Sequence, residues 1–544
     1  MKPVLLIYPP FENKGIQKSR IPFPIGPLYL SAYLKSKGIE SKVIDFGYPH
    51  KMCKTDKPNT WDLNSGRFFR YGWEDEDVLS WLEKNLKKYH DIVGVSSLMS
   101  STYTGAYRVI EMIKAIDPNK VIVVGGPHAT AYPEHVFKNT SADYICIGEG
   151  EEQFYKFIKG HTTEMVSIYP RGTKKFKSNP VIDMNELPFW EQNMLLPKRD
   201  LEEMVVTFSR GCPFNCSFCG SRVVQGSKWR HKSVSRCIEE LRYYNNWGIT
   251  KFVVEDDNLA PGKVGIKWLK DLCEAIIHEN MKIKLTIPHG IPVNALADEE
   301  LCDLLWDAGF RKMALPLEST NEKVLKDMNK KFTVTHFTQA IKNWSKHEKN
   351  PPAQIILGYP FVDTIRSMLQ TMIDISNNGG RIWASHFRLN KGIELYDRCL
   401  ETGYIDKDYD PINSQYFYVE TERFDIEDLI ELMQISRGLN YGLERGVNIF
   451  DMELPTIGKE FYEFNPKVRV GSTIAKGNFS FNRSQTVFAG LLLLLHGNQT
   501  TQPIIKKVNN DQLIFNGYKP FSNVYRTLKE MVTGNKVKTI NDYL

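Results

Sequence analysis

The chain has 544 residues, of which 42% are hydrophobic and 12% aromatic, so it can build two or three folded domains and is not a disordered protein. Its 70 basic and 64 acidic side chains are well mixed and give a net charge of only +6, which is far from the basic stripe of a nucleic-acid-binding protein. The longest apolar run late in the chain, residues 487–495, has roughly half the length of a membrane span. We therefore expect neither a nucleic-acid partner nor a membrane span.

Cysteine usage indicates a reducing compartment. Nine cysteines are an odd number, and they are not arranged as a small disulfide framework. Six of them are scattered, mostly among apolar neighbours, and ordinary buried or free thiols are expected there. Residues 1–8 are too short and too strand-like for a signal peptide. We therefore expect a cytoplasmic protein.

Residues 1 to about 155 alternate short apolar strands with helices, which is typical of a parallel sheet covered on both faces. Ligands of such sheets bind beyond the carboxyl ends of the strands. The sequence therefore predicts a Rossmann-like N-terminal domain with its ligand site in the loops that follow the strands. The strands are predicted at residues 4–8, 41–45, 91–96, 121–124 and 144–147, and the helices at 26–37 and 104–116.

Three of these loops are unusually rich in small residues, at 96–101, 125–130 and 148–151. Glycines let the backbone approach a bulky ligand, while hydroxyl and amide groups supply hydrogen bonds. Tight strand-to-helix turns are the simpler explanation, but they account for one such loop better than for three. His128 could be a ligand, although a loop histidine more often contacts a side chain or the turn backbone. The cofactor-binding candidates are Ser96, Ser97, Met99, Gly125, Gly126, His128, Gly148, Glu149 and Gly150.

The middle of the chain repeats a strand–helix rhythm. Residues 156–200 contain four scattered prolines, which predicts a linker or an edge hairpin. From 201 to about 400 six strand–helix units follow, which predicts a partial (β/α)6 barrel with its chemistry at the carboxyl ends of the strands. Residues 401–544 are predicted to be a mostly helical C-terminal extension with helices at 426–441 and 484–496. The barrel strands are predicted at residues 203–208, 251–255, 282–287, 312–317, 353–358 and 382–387.

The loop after the first barrel strand holds the most informative motif. Cys212, Cys216 and Cys219 form a C-x3-C-x2-C motif. Three thiolates can hold three irons of a cubane cluster and leave the fourth iron open to a chelating molecule, whereas an all-cysteine electron-transfer cluster needs a fourth cysteine. A zinc site would require a second cysteine pair or a histidine at finger-like spacing, and none follows. Three core cysteines that share this spacing by chance are a much weaker explanation.

This spacing, with the aromatic Phe218 before the last cysteine, resembles the motif of the radical S-adenosylmethionine (SAM) superfamily. The resemblance implies that SAM chelates the open iron of a [4Fe–4S] cluster and is cleaved to a 5′-deoxyadenosyl radical by an electron from a donor such as flavodoxin or ferredoxin. It also implies that Phe218 packs against the adenine. Glu255 and Asp256 end the second barrel strand, where relatives face the methionyl group, and Glu318 and Ser319 resemble a Glu-Ser step near the ribose. Helix N-capping is the competing explanation at both strand ends.

Residues 1–155 resemble the cobalamin-binding domain that is fused to many radical SAM enzymes. The matching segments are residues 22–30, 125–128 and 148–151. The Asp-x-His-x-x-Gly motif, which supplies a histidine to cobalt in other corrinoid proteins, does not occur in the sequence. Many radical SAM members of this class lack it too, so its absence does not exclude cobalamin, and some relatives keep the domain without a corrinoid.

Together these features predict an α/β protein with a cobalamin-binding-type Rossmann-like domain (1–155), a linker (156–200), a partial radical SAM barrel (201–400) and a C-terminal extension (401–544). The resemblance implies a cobalamin-dependent methyltransferase that acts on an unactivated carbon or phosphorus centre of a small-molecule or peptide substrate. A radical SAM oxidoreductase or cyclase of similar layout is the alternative among enzymes. A non-catalytic corrinoid or iron–sulfur sensor is the alternative outside them.

Overall fold

A computed structural model of the chain describes residues 2–14, 23–49, 68–161, 166–177, 182–415, 419–450 and 522–534, together with four isolated residues between 487 and 495. Most of the predicted C-terminal extension, including most of its second predicted helix, lies outside these residues. The chain divides into two compact units. The first combines Met1–Thr286 with Arg388–Tyr416, and the second combines Ile287–Phe387 with Phe417–Leu544.

The N-terminal domain of the first unit is built on a seven-stranded sheet. The strands of this domain are β1 (Val4–Tyr8), β2 (Phe11–Lys14), β3 (Ser41–Asp45), β4 (Phe68–Tyr71), β5 (Ile92–Ser96), β6 (Val121–Gly125), β7 (Tyr144–Cys146), β8 (Ile168–Pro170) and β9 (Leu195–Leu196). Seven of them form one sheet in the order β8-β7-β6-β5-β1-β3-β9, in which only β8 is antiparallel to its neighbour. Strands β2 and β4 pair separately as an antiparallel ribbon.

Six helices accompany this sheet, and their apolar faces form its core. All five residues of β1 are buried, as expected where a sheet is covered on both faces. Val109, Ile110 and Ile113 on one helix enter the same core, and each such side chain stabilises the fold by about 1.5–3 kcal/mol. The helices are α1 (Ile25–Ser36), α2 (Asp75–Asn85), α3 (Thr104–Ile116), α4 (Pro127–Ala131), α5 (Pro133–Asn139) and α6 (Glu151–Ile158).

The six predicted barrel strands are present as two parallel sheets of three. In the first unit these are β10 (Met204–Val206), β13 (Lys251–Val254) and β14 (Lys284–Thr286), with a short antiparallel ladder of β11 (Ser209–Arg210) and β12 (Arg230–His231) directly after β10. In the second unit they are β15 (Leu315–Glu318), β16 (Pro352–Leu357) and β17 (Arg381–His386).

The remaining helices follow the predicted rhythm. The β2–β4 ribbon is not among the predicted strands, and the segment predicted as a linker or an edge hairpin contributes the two edge strands β8 and β9 to the N-terminal sheet. In chain order the helices are α7 (Ser221–Gln225), α8 (Val234–Asn245), α9 (Gly262–His278), α10 (Val293–Leu296), α11 (Glu299–Asp307), α12 (Glu322–Asp327), α13 (Val334–Trp344), α14 (Ile365–Asn377), α15 (Glu394–Glu401), α16 (Ile426–Leu443) and α17 (Asn523–Thr533). In the part of the chain that the structure describes, none of the helices combines the length and the apolar character that a membrane crossing requires.

The segment Arg388–Tyr416 returns to the first unit and contacts the N-terminal domain. The backbone N–H of Lys391 donates to the Tyr132 hydroxyl at 2.7 Å. The Tyr103 hydroxyl donates to the Asp410 carboxylate at 3.1 Å. The first unit is therefore assembled from two stretches of chain that lie far apart in sequence.

Candidate functional site

The three cysteines of the C-x3-C-x2-C motif lie on the loop between β11 and α7. The loop begins at Gly211, whose φ of +82° and close approach to a carbonyl exclude a side chain: an added Cβ would lie 2.3 Å from the Lys228 oxygen. The N–H of Cys212 donates to Gly226 O at 3.2 Å, and the N–H of Cys219 donates to Cys216 O at 3.2 Å. The backbone therefore folds the motif into a closed loop.

The residues around the cysteine sulfurs fit an iron–sulfur cluster. All three cysteines are half-buried, and none of the eight cysteines in the described ranges is in a disulfide. Asn258 Nδ2 donates to Cys212 Sγ at 3.4 Å, and hydrogen bonds to sulfur are a known means of tuning such clusters. The Cys219 and Ser221 side chains are 3.3 Å apart. Burial raises the pKa of the Cys219 thiol, with Asp257 adding to the effect, so this sulfur must release a proton when it binds iron.

A single metal ion is a poorer fit to these residues. Among the residues that the structure describes, no three His, Cys, Asp or Glu side chains converge closely enough to hold one metal ion. The cysteines of a cubane bind three separate irons, so they need not converge on one point.

Asp256, predicted to face SAM, is buried just after β13. Its carboxylate accepts hydrogen bonds from residues that precede the cysteine loop. Its Oδ1 accepts from the Phe208 N–H at 2.9 Å, and its Oδ2 accepts from the Ser209 hydroxyl at 2.5 Å. Burial raises the pKa of the Asp256 carboxyl to about 7, although these two donors oppose the shift. The carboxyl group thus joins the end of β13 to the residues that lead into the cysteine loop. Its neighbour Glu255 is half-buried.

The other two predicted SAM contacts lie in the second unit, at the carboxyl end of β15. Glu318 adopts a φ of +68°, which is strained for a residue other than glycine, and accepts from Lys330 Nζ at 2.8 Å. Ser319 Oγ accepts from the N–H of Asn321 at 3.1 Å. Asn321 itself caps α12 by accepting from Lys323 N–H and Val324 N–H. The helix cap is therefore Asn321, and the Glu-Ser step precedes it.

In the N-terminal domain, the loops after β5 and β6 come together. The Ser97 N–H donates to Gly125 O at 2.8 Å, and the His128 N–H donates to Ser97 O at 3.1 Å. A Cβ on Gly126 would lie 2.7 Å from Ser97 O, so this contact requires glycine. The Ser97 hydroxyl is buried with no hydrogen-bond partner in the described residues, which fits a loop that meets a polar ligand. Met99 instead packs against the β2–β4 ribbon.

His128 is fully buried in a cluster of aromatic rings. Its Nε2 lies 2.9 Å from the Tyr107 hydroxyl, and its ring stacks on Tyr103 and Tyr132 at centroid distances of 5.1 and 5.4 Å. Burial lowers the pKa of His128 to about 3, so the ring is neutral. This is the environment of a loop histidine that packs against its neighbours.

The loop after β7 carries two glutamates that contact the β11–β12 ladder. Glu151 accepts from Arg210 Nη2 at 2.7 Å, and Glu149 pairs with Arg230. Glu149 also accepts from the Ile182 N–H at 3.2 Å. Gly148 has a φ of +75°, and its N–H donates to Thr130 Oγ1 at 3.0 Å, which links this loop to the one before it. Ser96 and Gly125 are register partners at the ends of β5 and β6, and Gly150 lies beside Cys146.

Two family models match the chain. The Radical SAM superfamily model matches residues 206–371, and the B12 binding domain model matches residues 20–158.

The chain therefore contains a radical SAM domain and a B12-binding domain.

The family predicted from the sequence is thereby confirmed. The radical SAM match contains the three cysteines, and the B12-binding match contains all nine loop candidates. The roles of the individual site residues stay predictions, as do the boundaries near residues 155, 200 and 400.

Two named relatives and one solved structure are similar to this chain over 42% to 98% of its length. Cytidylyl-2-hydroxyethylphosphonate methyltransferase of Streptomyces wedmorensis is 25% identical over 459 residues, which cover 74% of this chain and 82% of that protein. Anaerobic magnesium-protoporphyrin IX monomethyl ester cyclase of Synechocystis is 27% identical over 247 residues, or 42% and 48% of the two chains. The structure of the cobalamin-dependent S-adenosylmethionine radical enzyme OxsB, with aqua-cobalamin and S-adenosylmethionine bound, matches with a TM-score of 0.63 at 15% identity over 98% of this chain and 78% of that chain. The predicted fold is therefore confirmed.

Sequence analysis missed three residues around the cysteine loop. Asn258 donates to a cysteine sulfur, and Arg210 and Arg230 contact the B12-binding domain. Arg210 lies two residues before the first cysteine, and Asn258 ends the acidic run after β13, so position alone could have marked them. Their partners lie 46 to 81 residues away, which no local pattern reveals.

Proposed function

We propose that this protein is a cobalamin-dependent radical SAM methyltransferase that acts on an unactivated carbon or phosphorus centre. The observation that carries the proposal is the contact between the two cofactor regions. The loop with the three cysteines and a glycine-rich loop of the B12-binding domain lie in one compact unit, where Arg210 and Glu151 join them at 2.7 Å.

The cofactors supply the chemistry, and this chain supplies their sites. When bound, the [4Fe–4S] cluster supplies the electron that cleaves SAM to a 5′-deoxyadenosyl radical, and cobalamin transfers a methyl group that comes from a second SAM. Cys212, Cys216 and Cys219 bind three irons as thiolates. Asn258 donates a hydrogen bond to the first of these sulfurs, and Asp256 fixes the strand end that leads into the loop.

The proposed contacts to SAM and cobalamin follow from the loops described above. Ser97 offers its buried hydroxyl to cobalamin, and the glycines beside it let the backbone approach the corrin. His128 packs among aromatic rings. We do not assign it to cobalt, because its Nε2 is hydrogen-bonded to the Tyr107 hydroxyl. In the first unit, the residues proposed to contact SAM are Phe218 and Glu255; for Glu318 and Ser319 of the second unit the family resemblance alone supports a role at the ribose.

The relatives favour methyl transfer over the alternatives. The match to the phosphonate methyltransferase extends over more of both chains than the match to the cyclase. We propose a small molecule or peptide as the substrate and a flavodoxin or ferredoxin as the electron donor. We also propose a cytoplasmic location, because a reducing compartment suits an oxygen-sensitive cluster.

The products of SAM distinguish the three interpretations without knowledge of the substrate. Protein reconstituted anaerobically with iron and sulfide is incubated with SAM and dithionite, with or without hydroxocobalamin, and bound corrinoid is quantified in the same sample. Mass spectrometry then measures 5′-deoxyadenosine and S-adenosylhomocysteine. A methyltransferase of this type forms 5′-deoxyadenosine, and it forms S-adenosylhomocysteine only when cobalamin is supplied.

The other outcomes are equally specific. A cyclase or oxidoreductase forms 5′-deoxyadenosine without S-adenosylhomocysteine, and that result would overturn the proposal. A sensor forms neither product. The Cys216→Ala variant is the control, because loss of one of three iron ligands should abolish 5′-deoxyadenosine formation.

A further inference from the structure

Two arginines, Arg210 before the cysteine loop and Arg230 after it, face each other. Arg210 on β11 and Arg230 on β12 are direct register partners in the antiparallel ladder. Side chains in such pairs lie on the same face with Cβ atoms about 4.5–5.5 Å apart, and like charges placed opposite each other destabilise the pairing. The ladder therefore requires negative charge from another part of the molecule.

The B12-binding domain supplies that charge from a single loop. Glu149, in the loop between β7 and α6, and Glu151, the first residue of α6, flank Gly150. Glu151 pairs with Arg210 at 2.7 Å, while Glu149 pairs with Arg230 and lies 3.6 Å from Arg210 Nη1. We call these four side chains the Arg–Glu cluster. It joins one loop of the B12-binding domain to the two strands that lead into and out of the cysteine loop.

The Arg–Glu cluster is shielded from water. Each of its side chains is at most 11% exposed. Burial alone would raise the pKa of Glu151, but the Arg210 guanidinium outweighs this effect and lowers it. Glu151 therefore stays charged beside Arg210, and a buried guanidinium that carries two partners has little freedom to move. An exposed pair of the same kind would leave both loops mobile.

We propose that the Arg–Glu cluster is a positioning device that fixes the cysteine loop against the cobalamin-binding loop, so that the two cofactors meet at a set distance. This inference deepens the proposed function and rests on it. Arg210 and Glu151 are then positioning residues: they touch neither cofactor, but they set where Cys212 lies relative to Gly148 and Gly150.

The test removes one ion pair without changing the net charge. In the variant Arg210→Met/Glu151→Met both partners become apolar side chains of similar length, an exchange that buried ion pairs often tolerate. The same two domains keep a second buried contact, between the Tyr29 hydroxyl and Glu240 at 2.8 Å, so they stay joined. The matched control is Glu152→Met/Lys156→Met, which removes the 2.9 Å ion pair of the neighbouring residue on α6.

Two readouts separate positioning from plain stability. The first is the electron paramagnetic resonance spectrum of the reduced cluster with and without SAM, which needs no cobalamin. The second is the dissociation constant of hydroxocobalamin for the cluster-loaded protein. We expect the test variant to bind four irons, to give an altered spectrum with SAM, and to bind hydroxocobalamin on the order of tenfold more weakly. The control should match the unmodified protein in both readouts.

A folded test variant with an unchanged spectrum and unchanged cobalamin affinity would overturn the inference, because the Arg–Glu cluster would then be structural only. If the double variant fails to fold, Arg210→Lys replaces it, since lysine keeps the charge but loses the two-pronged geometry. An unchanged spectrum in Arg210→Lys would also overturn the inference. If the unmodified protein binds no hydroxocobalamin, the proposed function fails, and the spectra still decide whether the Arg–Glu cluster positions the cysteine loop.

Discussion

Two glycine-rich loops of the B12-binding domain follow neighbouring strands and look alike in sequence, yet they serve different purposes. The loop at residues 125–130 is held inside its own domain, where Gly126 abuts Ser97 O and His128 packs among aromatic rings. The loop at residues 148–151 contacts the radical SAM domain through Glu149 and Glu151. The residues next to the glycines decide the difference: the His128 imidazole packs among aromatic rings, whereas the carboxylates of Glu149 and Glu151 require cationic partners.

The largest expected loss of stability comes from removing the charge of Glu151 in the second loop. Glu151→Gln leaves Arg210 buried beside a neutral amide and should destabilise the protein by about 3–5 kcal/mol, because one partner of a buried ion pair is lost. The measurement is urea unfolding followed by tryptophan fluorescence. Glu152→Gln, which alters a more exposed pair on the same helix, should cost no more than about 1 kcal/mol. Equal effects from both substitutions would show that charge does not hold this loop.

A smaller effect is expected at the first loop. Gly126 has φ +104° and ψ 177°, a conformation that residues other than glycine rarely adopt. Gly126→Ala should cost about 1–3 kcal/mol in backbone strain, and the contact with Ser97 O adds to it. Gly160→Ala is the control, because its φ is +72° but nothing lies within 4 Å of an added Cβ. Thermal unfolding should rank Gly126→Ala as the more damaging, and the reverse order would contradict the geometry.

The aromatic packing of the first loop predicts a pH dependence. His128 has a pKa near 3 in the folded protein and about 6.5 when unfolded, so protons bind preferentially to the unfolded chain below pH 6.5. Its contribution to stability is complete above pH 6.5 and is lost as the pH falls toward 3, by up to about 1.4 kcal/mol per pH unit. His128→Gln should therefore flatten the acid limb of a stability–pH curve. His135→Gln should flatten it less, because burial lowers that pKa by less.

The smallest effect on stability is expected at Ser97, where cobalamin affinity should change more than stability does. Ser97→Ala removes a buried hydroxyl that has no partner in the described residues, so stability should change by less than about 0.5 kcal/mol. If this hydroxyl binds cobalamin, hydroxocobalamin affinity should fall about fivefold, as expected for one hydrogen bond. The control Ser31→Ala should lower stability and leave hydroxocobalamin affinity unchanged. It removes the 2.7 Å hydrogen bond between the two buried hydroxyls and leaves Ser41 only its 3.4 Å bond to the backbone oxygen of residue 31, which should cost about 0.5–1.5 kcal/mol.

Local patterns predicted the cofactor loops because spacing and glycine content are local properties. The cysteine loop needs three thiolates within a short turn, and that turn requires a glycine at position 211, so the motif carries both the chemistry and the fold. The six barrel strands and the Rossmann-like sheet were equally accessible, since buried parallel strands are short apolar runs.

The contacts of the acidic residues could not be predicted from the sequence, because their partners lie far away along the chain. The family resemblance predicts that Asp256 faces SAM, but its donors Phe208 and Ser209 lie 48 and 47 residues away and no local pattern indicates them. Glu149 was selected as a cofactor contact for its place between glycines, and the structure pairs it with Arg230, 81 residues further along. The sequence can indicate that a buried carboxylate needs a hydrogen-bond or ionic partner, but it does not identify that partner.

The division of the first unit into two stretches has a consequence for how the protein is made. On the ribosome, Ile287–Phe387 must be synthesised between them. At about 5–20 residues per second this gap of about 100 residues lasts on the order of 5–20 s. Throughout that interval Tyr132 and Tyr103 lack the partners that Lys391 and Asp410 later provide. A nascent chain thus carries its cysteine loop in an unfinished unit until Arg388–Tyr416 has been synthesised.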